Sequence, residues 1–308
     1  MEASKYVYSI IIPHHNIPLL LKRCLDSIPL RDDIQVIVVD DKSSDETLSV
    51  LKEMEAARPS CTFIYMDKNG GGGKARNVGL HHAQGRYVIF ADADDFFNEC
   101  LSSVLDDYQD TDYDIIYFKG NSVDTNTLEP ANRADHLNRY IDAHQQGEDS
   151  NGEQLRYLFG EPWARIIKRS MIEQYAIRFD ETFIHNDTAF GYLTGYHARA
   201  IHSDSRALYC VTVRQGSVSV TDSIDRILTR VAVFGRAERF LTEHHIHTCP
   251  DAHYKQLVHL LVHGQLRLLN RCIHTLQAQH LSRAHIYAQT ISTFFRIVNA
   301  KFKNATAS

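Results

Sequence analysis

Residues 87–97 read YVIFADADDFF. The apolar run 87–91 drives into three carboxylates, Asp92, Asp94 and Asp95. A short β-rich run of this kind reads as a buried strand. Carboxylates packed this closely repel one another unless a cation or a donor-rich ligand sits among them. Ligands bind at the C-terminal edge of an open parallel α/β sheet. There, Asp-x-Asp sets two hard oxygen ligands on one turn, which suits Mg2+ or Mn2+ carrying a substrate diphosphate. The alternative for the same residues is a helix N-cap followed by a solvated acidic turn, because Asp is a common cap residue.

Outward from this stretch, strand and helix alternate. Residues 6–12, 35–39 (QVIVV), 62–66 and 114–118 (DIIYF) read as strands. Helices are expected over 18–28, 45–57 and 74–83, the second opened by a capping box of Ser43 with Glu46. Such alternation implies an α/β protein with a mainly parallel, doubly wound sheet. Three polar strand tips then fall on one edge: Pro13-His14-His15-Asn16, Asp40-Asp41 and Asp92 to Asp95. Their convergence reads as a nucleotide pocket. Residues 120–152 are polar and read as an irregular loop region or lid.

The glycine-rich run Asn69–Gly73 (NGGGG) leads into Lys74-Ala75-Arg76-Asn77. It fits neither GxxxxGK[ST] nor GxGxxG. It reads either as a flexible loop before a helix or as glycines whose N–H groups approach a diphosphate, with Lys74 and Arg76 supplying charge.

The chain's 308 residues suffice for one large domain or two smaller ones. A net charge of −5 argues against a whole-chain nucleic-acid binder. No apolar run reaches the ~18 residues of a membrane-crossing helix. The N-terminus lacks the basic start and cleavage site of a signal peptide, and six scattered cysteines without CxxC suggest reduced thiols. A cytoplasmic protein is expected on these grounds. Charge is uneven: residues 222–308 hold 11 Lys/Arg and 5 Asp/Glu, against 22 and 33 in 1–221. This shift argues for two functionally distinct parts.

The tail 222–308 reads as helical. Leu257, Leu261, Gly264, Leu268, Cys272 and Leu276 make one apolar stripe, and Tyr287, Ile291, Phe294 and Val298 a second. Packing of these stripes as an accessory bundle on the first part is the favoured expectation. The alternative is a basic contact with a membrane surface, at the inner face of the membrane, or with a second copy in a homo-oligomer.

The pieces SIIIPHHN, VIVVDDKSSDET, NGGGGKARNVG, GRYVIFADADD, PWARIIKRSMIEQYAIRFDE and HNDTAFGYL, in that order, resemble glycosyltransferase family 2. The resemblance covers roughly residues 6–220. It implies a GT-A catalytic domain over 1–221, with a donor half about 1–119 and an acceptor half about 153–221, followed by the helical region 222–308. It also implies an inverting, metal-dependent transferase of the polysaccharide-biosynthesis type, using Mn2+ or Mg2+. The donor would be a nucleotide sugar, most often a UDP-sugar. The acceptor would be a hydroxyl of a glycan or of a lipid-linked saccharide.

Carried over residue by residue, the resemblance puts Pro13, His15, Asn16 and Asp41 around the nucleobase. Asp41 would accept from the base N3–H. His15 stands where the family usually has Tyr or Phe. Lys74 and Arg76 fall at the start of the donor-binding helix. Asp94 would ligate the metal, Asp92 would contact the ribose or the metal shell, and Asp95 would orient either. Asp187 matches the aspartate of the family's Glu-Asp pair, the catalytic base, but Asn186 replaces the glutamate. From the residues alone, Asp187 also reads as the N-cap of a helix over 188–197. Trp163 reads as core packing or as a stacking face for the acceptor sugar. Arg214 falls in a loop that folds over the donor diphosphate. Two other functions remain: a nucleotide-sugar-binding module without turnover, given Asn186, and a nucleotidyltransferase, which would release pyrophosphate.

Overall fold

The computed structural model describes residues 5–213 and 223–306. The chain divides into two compact units, Met1–Ser217 and Val218–Ser308. The first begins β1 (Tyr8–His14), α1 (Pro18–Asp26), β2 (Ile34–Asp40), α2 (Asp45–Ala57), β3 (Cys61–Tyr65), α3 (Gly71–His82) and β4 (Tyr87–Phe90). It continues with β5 (Phe96–Phe97), α4 (Leu101–Tyr108), β6 (Ile115–Asp124), β7 (Pro130–Ala131), α5 (Asp135–Gln145) and α6 (Glu153–Tyr157). It closes with β8 (Arg165–Lys168), α7 (Arg169–Gln174), α8 (Thr188–His197) and β9 (Ile201–Val213).

The strands form one mixed sheet in the order β3-β2-β1-β4-β8-β6-β9-β5, with β7 on β6. β1 to β4 pair in parallel, β8 runs antiparallel between β4 and β6, and β6 pairs with β9 in parallel. The four leading strands therefore share a C-terminal edge. The residues of β1, β2 and β4 are apolar almost without alternation, and Ile10, Ile11, Ile12, Ile37, Val38 and Val39 are fully buried. Strands covered on both faces read this way.

Two local details differ from the sequence reading. The N-cap of α2 is Ser44, whose hydroxyl accepts from the Thr47 N–H, while Ser43 is buried and its N–H bonds Asp40 Oδ2 at 2.9 Å. Residues 120–152 are not an irregular loop: β6 runs through to Asp124 and α5 occupies 11 of them. Leu137 and Ile141 anchor α5 in the core.

The second unit comprises α9 (Ile224–Glu243), α10 (Ala252–Val262), α11 (Leu266–Ala278) and α12 (Arg283–Thr306). It has its own core, built on Ile227, Val231, Leu257, Leu260, Cys272, Leu276 and Ile286. Gly264, at φ +67°, ends α10. Glycine adopts that left-handed conformation freely. The first predicted stripe thus belongs to two helices: Leu257, Cys272 and Leu276 are inside, while Leu261 is exposed. Glu238 bonds His253 Nε2 at 2.9 Å, the Tyr254 hydroxyl at 2.8 Å and His285 Nε2 at 2.8 Å, tying α9, α10 and α12. Burial raises this carboxyl, but the three hydrogen bonds outweigh it and hold Glu238 below its usual range.

Candidate active site

The tips of β1 and β2 are joined side by side, with His14 opposite Asp40. His14 Nδ1 bonds Asp40 Oδ1 at 2.9 Å and its Nε2 accepts from the Ile17 N–H at 3.2 Å, so the proton sits on Nδ1. Both residues are buried and act as scaffold. Pro13 is half-buried beside them; His15 and Asn16 are exposed. Asn16 has φ 56°, a left-handed conformation that asparagine tolerates. Its side chain accepts from the Ser44 N–H at 2.8 Å, and its own N–H donates to Ser43 Oγ. His15 Nδ1 bonds the Asp41 carbonyl at 2.9 Å and its Nε2 lies 3.1 Å from Asn16 Nδ2. The polar residues His15, Asn16, Asp41, Ser43 and Ser44 after β1 and β2 thus hold one another.

Asp41 is only 4% exposed. Its two carboxylate oxygens accept from the Gly70 and Gly71 N–H groups, each at 2.7 Å. The carboxylate therefore occupies the positive end of α3. Two of the amides expected to approach a diphosphate are spent on Asp41. A carboxylate has about four acceptor positions, which leaves capacity for a further donor. The glycine run has a second role. A Cβ on Gly73 would stand 2.0 Å from the Asp180 carbonyl oxygen and 2.8 Å from Asn186 Cβ. Only glycine lets the segment ending in Asn186-Asp187 lie against α3.

Arg76, on α3, is buried. Its Nη2 donates to Asp92, its Nη1 to Asn186 Oδ1 at 3.0 Å, and its guanidinium lies over the Phe179 ring. It links the acidic tip of β4 to the Asn186-Asp187 pair. Lys74 is half-exposed, with Nζ 3.6 Å from Glu181.

Behind β4, the Tyr209 hydroxyl accepts from the Asp92 N–H at 2.7 Å. Asp95 is buried and accepts from the Thr212 N–H at 2.7 Å. Burial, with Asp92 and Asp94 adding like charge, pushes the Asp95 carboxyl well above the usual range. The Asp94 carbonyl accepts from Arg23 Nη2 at 2.7 Å and Thr212 Oγ1 at 2.8 Å. The backbone of the acidic turn is thus pinned by α1 and β9.

Asp187 takes the N-cap position of α8, yet its side chain makes no capping hydrogen bond. The residue is partly exposed. Burial of the carboxyl raises its pKa to about 6; the Arg76 charge opposes this, and Glu161 and Asp92 add to it. Trp163 is 4% exposed, and its ring stacks on Tyr209 at 5.4 Å and 14°. That packing covers the aromatic face expected for an acceptor sugar. Glu161, two residues earlier, is the more accessible side chain and lies 3.6 Å from His136 on α5. Arg214 lies outside the described residues.

The sequence matches the family described as Glycosyl transferase family 2 over residues 9–176. The chain belongs to that family. Its relatives include the uncharacterized glycosyltransferase EpsJ of Bacillus subtilis, 27% identical over 181 residues, 56% of this chain and 51% of EpsJ. The minor teichoic acid biosynthesis protein GgaB of the same organism is 35% identical over 102 residues, 32% of this chain and 11% of GgaB. The chain thus spans about half or less of these relatives. Among solved structures, Staphylococcus aureus TarS 1–349 in complex with UDP-GlcNAc superposes with TM-score 0.61 at 20% identity, over 97% of this chain and 92% of that one. Mannosyltransferase PcManGT of Pyrobaculum calidifontis, with GDP-Man and Mn2+, gives 0.53 at 15% identity, over 94% and 80%. The fold is GT-A.

In this family 2 chain, Tyr209, Thr212, Arg23 and Glu161 escaped the sequence reading. Tyr209 and Thr212 lie in β9, whose apolar pattern reads as plain strand, and Arg23 reads as a surface helix residue. Among the described residues no cluster of three His, Cys, Asp or Glu could hold a metal ion alone. The acidic turn still fits one. Mg2+ is held by one or two carboxylates with substrate phosphates completing the shell, and the Asp95 carboxyl, raised first by burial and then by the charges of Asp92 and Asp94, sits in a turn crowded with negative charge.

Proposed function

We propose that this chain transfers a sugar, with inversion, from a UDP-sugar to a hydroxyl of a glycan or lipid-linked acceptor. The observation that carries the reading is Asp187: a partly exposed carboxyl at a helix start, free of capping duty and raised to about 6. A general base works best when its pKa lies near the operating pH. Asp187 takes the proton from the acceptor hydroxyl, and the oxygen attacks the anomeric carbon from the face opposite the nucleotide. Arg76, bonded to Asp92 and Asn186, sets the distance between base and donor site. Asn186 serves here as a neutral partner for Arg76, so no further carboxylate is added beside Asp92 and Asp187. His15, Asn16 and Asp41 form the base end of the donor site, and Lys74 stands at its lip. Mn2+ or Mg2+, held by Asp94 and the accessible side of Asp92, would neutralise charge on the leaving diphosphate.

A thermal-shift screen of nucleotide sugars with Mn2+ finds the donor, because a ligand at ~100 times its Kd stabilises by about 2.7 kcal/mol. With that donor, Asp187→Asn should slow UDP release by roughly 10²–10⁴-fold while leaving the thermal shift intact. Wild-type turnover in Asp187→Asn would remove the base. Release of pyrophosphate instead of UDP would make the chain a nucleotidyltransferase.

A further inference from the structure

Helix α12 carries RAHIYAQTISTFFRIVNAKFKNAT: no Asp or Glu, but Arg283, Arg296, Lys301 and Lys303. Its inner side presents Ile286, Thr290 and Thr293, which are 0, 8 and 1% exposed. The Thr290 hydroxyl is satisfied by the Ile286 carbonyl at 2.7 Å. The outer side presents Tyr287, Ile291, Phe294 and Phe295, which are 48, 57, 37 and 58% exposed. These four recur at helical spacing and so share a face. A helix that buries two threonines and exposes three aromatics inverts the ordinary partition of side chains. The second predicted stripe is therefore not packed in a core. Contiguous exposed apolar surface of this kind marks an interaction site.

Charge decides the occupant. A second copy docked on this face by twofold symmetry would set the same acid-free, cationic helix against itself. An anionic bilayer complements it: Arg296 is already paired with Asp251 at 3.1 Å, but the exposed Arg283, one turn before Tyr287 on the same face, approaches the headgroups while Tyr and Phe enter the acyl boundary. No described helix is long and apolar enough to cross a membrane, so the contact is with the surface. We propose that the outer face of α12, centred on Tyr287, Ile291, Phe294 and Phe295, docks the chain on an anionic lipid surface.

The full chain should be sedimented with vesicles of phosphatidylglycerol and phosphatidylcholine in equal parts, and with vesicles of phosphatidylcholine alone. It should pellet with the first and not the second. Raising NaCl from ~0.1 to ~1 M, which shortens the screening length from about 10 to 3 Å, should release it. Joint substitution Phe294→Ser and Phe295→Ser should weaken vesicle binding by about tenfold or more with an unchanged melting temperature, since both rings are exposed. If that variant misfolds, Ile291→Ser and the wild-type salt titration carry the test. Absent or salt-insensitive binding by the wild type would overturn the proposal, as would undiminished binding by the folded variants. A dimer in light scattering that Phe294→Ser/Phe295→Ser dissolves, without vesicle binding, would overturn it and put a second copy on the face.

Discussion

Asp187 shows how one position can be pulled between stability and chemistry. Its carboxyl is raised to about 6, chiefly by burial, although Arg76 works the other way. A folded-state pKa above the unfolded value means the native state binds the proton more tightly. Stability from this group is therefore present at low pH and lost as pH rises from about 4 through 6. At pH 7 the ionised carboxylate is a net burden, which Asp187→Asn relieves. After discounting for partial solvent access, we expect about 1 kcal/mol, or roughly 2–4 °C in melting temperature. The gain should shrink at pH 4.5, where the wild-type carboxyl is protonated; calorimetry at the two pH values checks it. The same group predicts an acid limb near pH 6 in kcat/KM for UDP release, absent from the residual activity of Asp187→Asn.

At the scale of elements, the site depends on how closely α3 meets the segment before α8. Arg76 reaches Asn186 and Asp92 only because Gly73 leaves room for the Asp180 carbonyl. Gly73→Ala would force a methyl into backbone atoms that cannot move aside cheaply. Overpacking of this sort costs about 1–3 kcal/mol. Denaturant unfolding should show that loss, and UDP release should fall with it because the Asn186-Asp187 pair is displaced. A variant with unchanged stability and rate would mean that the segment can retreat without moving the base. On the opposite side, Tyr209 explains why Trp163 is unavailable to a sugar: the two rings stack while the Tyr209 hydroxyl holds the acidic turn.

At the scale of the whole molecule, the two units have separate cores. The first is drawn from strands and helices between Tyr8 and Val211, the second from α9 to α12. Leu257, Cys272 and Leu276 are consumed inside the second unit, so their removal should not strip the first of its packing. We therefore expect a fragment of residues 1–221 to fold, to unfold cooperatively and to keep the donor-induced thermal shift. Aggregation of that fragment, or loss of the shift, would show that the first unit needs the second.

Much of this protein was legible in its sequence because the signals are local. The runs 10–12 and 36–39 are apolar throughout, which marks strands covered on both faces, and the strand-helix alternation makes the leading strands parallel. Polar residues that end such strands must then meet at one edge, which fixed the candidates from His15 to Asp94. What the sequence left open depends on partners far along the chain. Whether the Asp187 side chain caps α8 turns on a hydrogen bond that is absent. Whether Trp163 is a platform or core turns on Tyr209, 46 residues later. Whether the last apolar stripe is buried turns on which side α12 presents inward, and Thr290 and Thr293 take that side. Periodicity fixes which residues share a face, but only packing decides which face is covered.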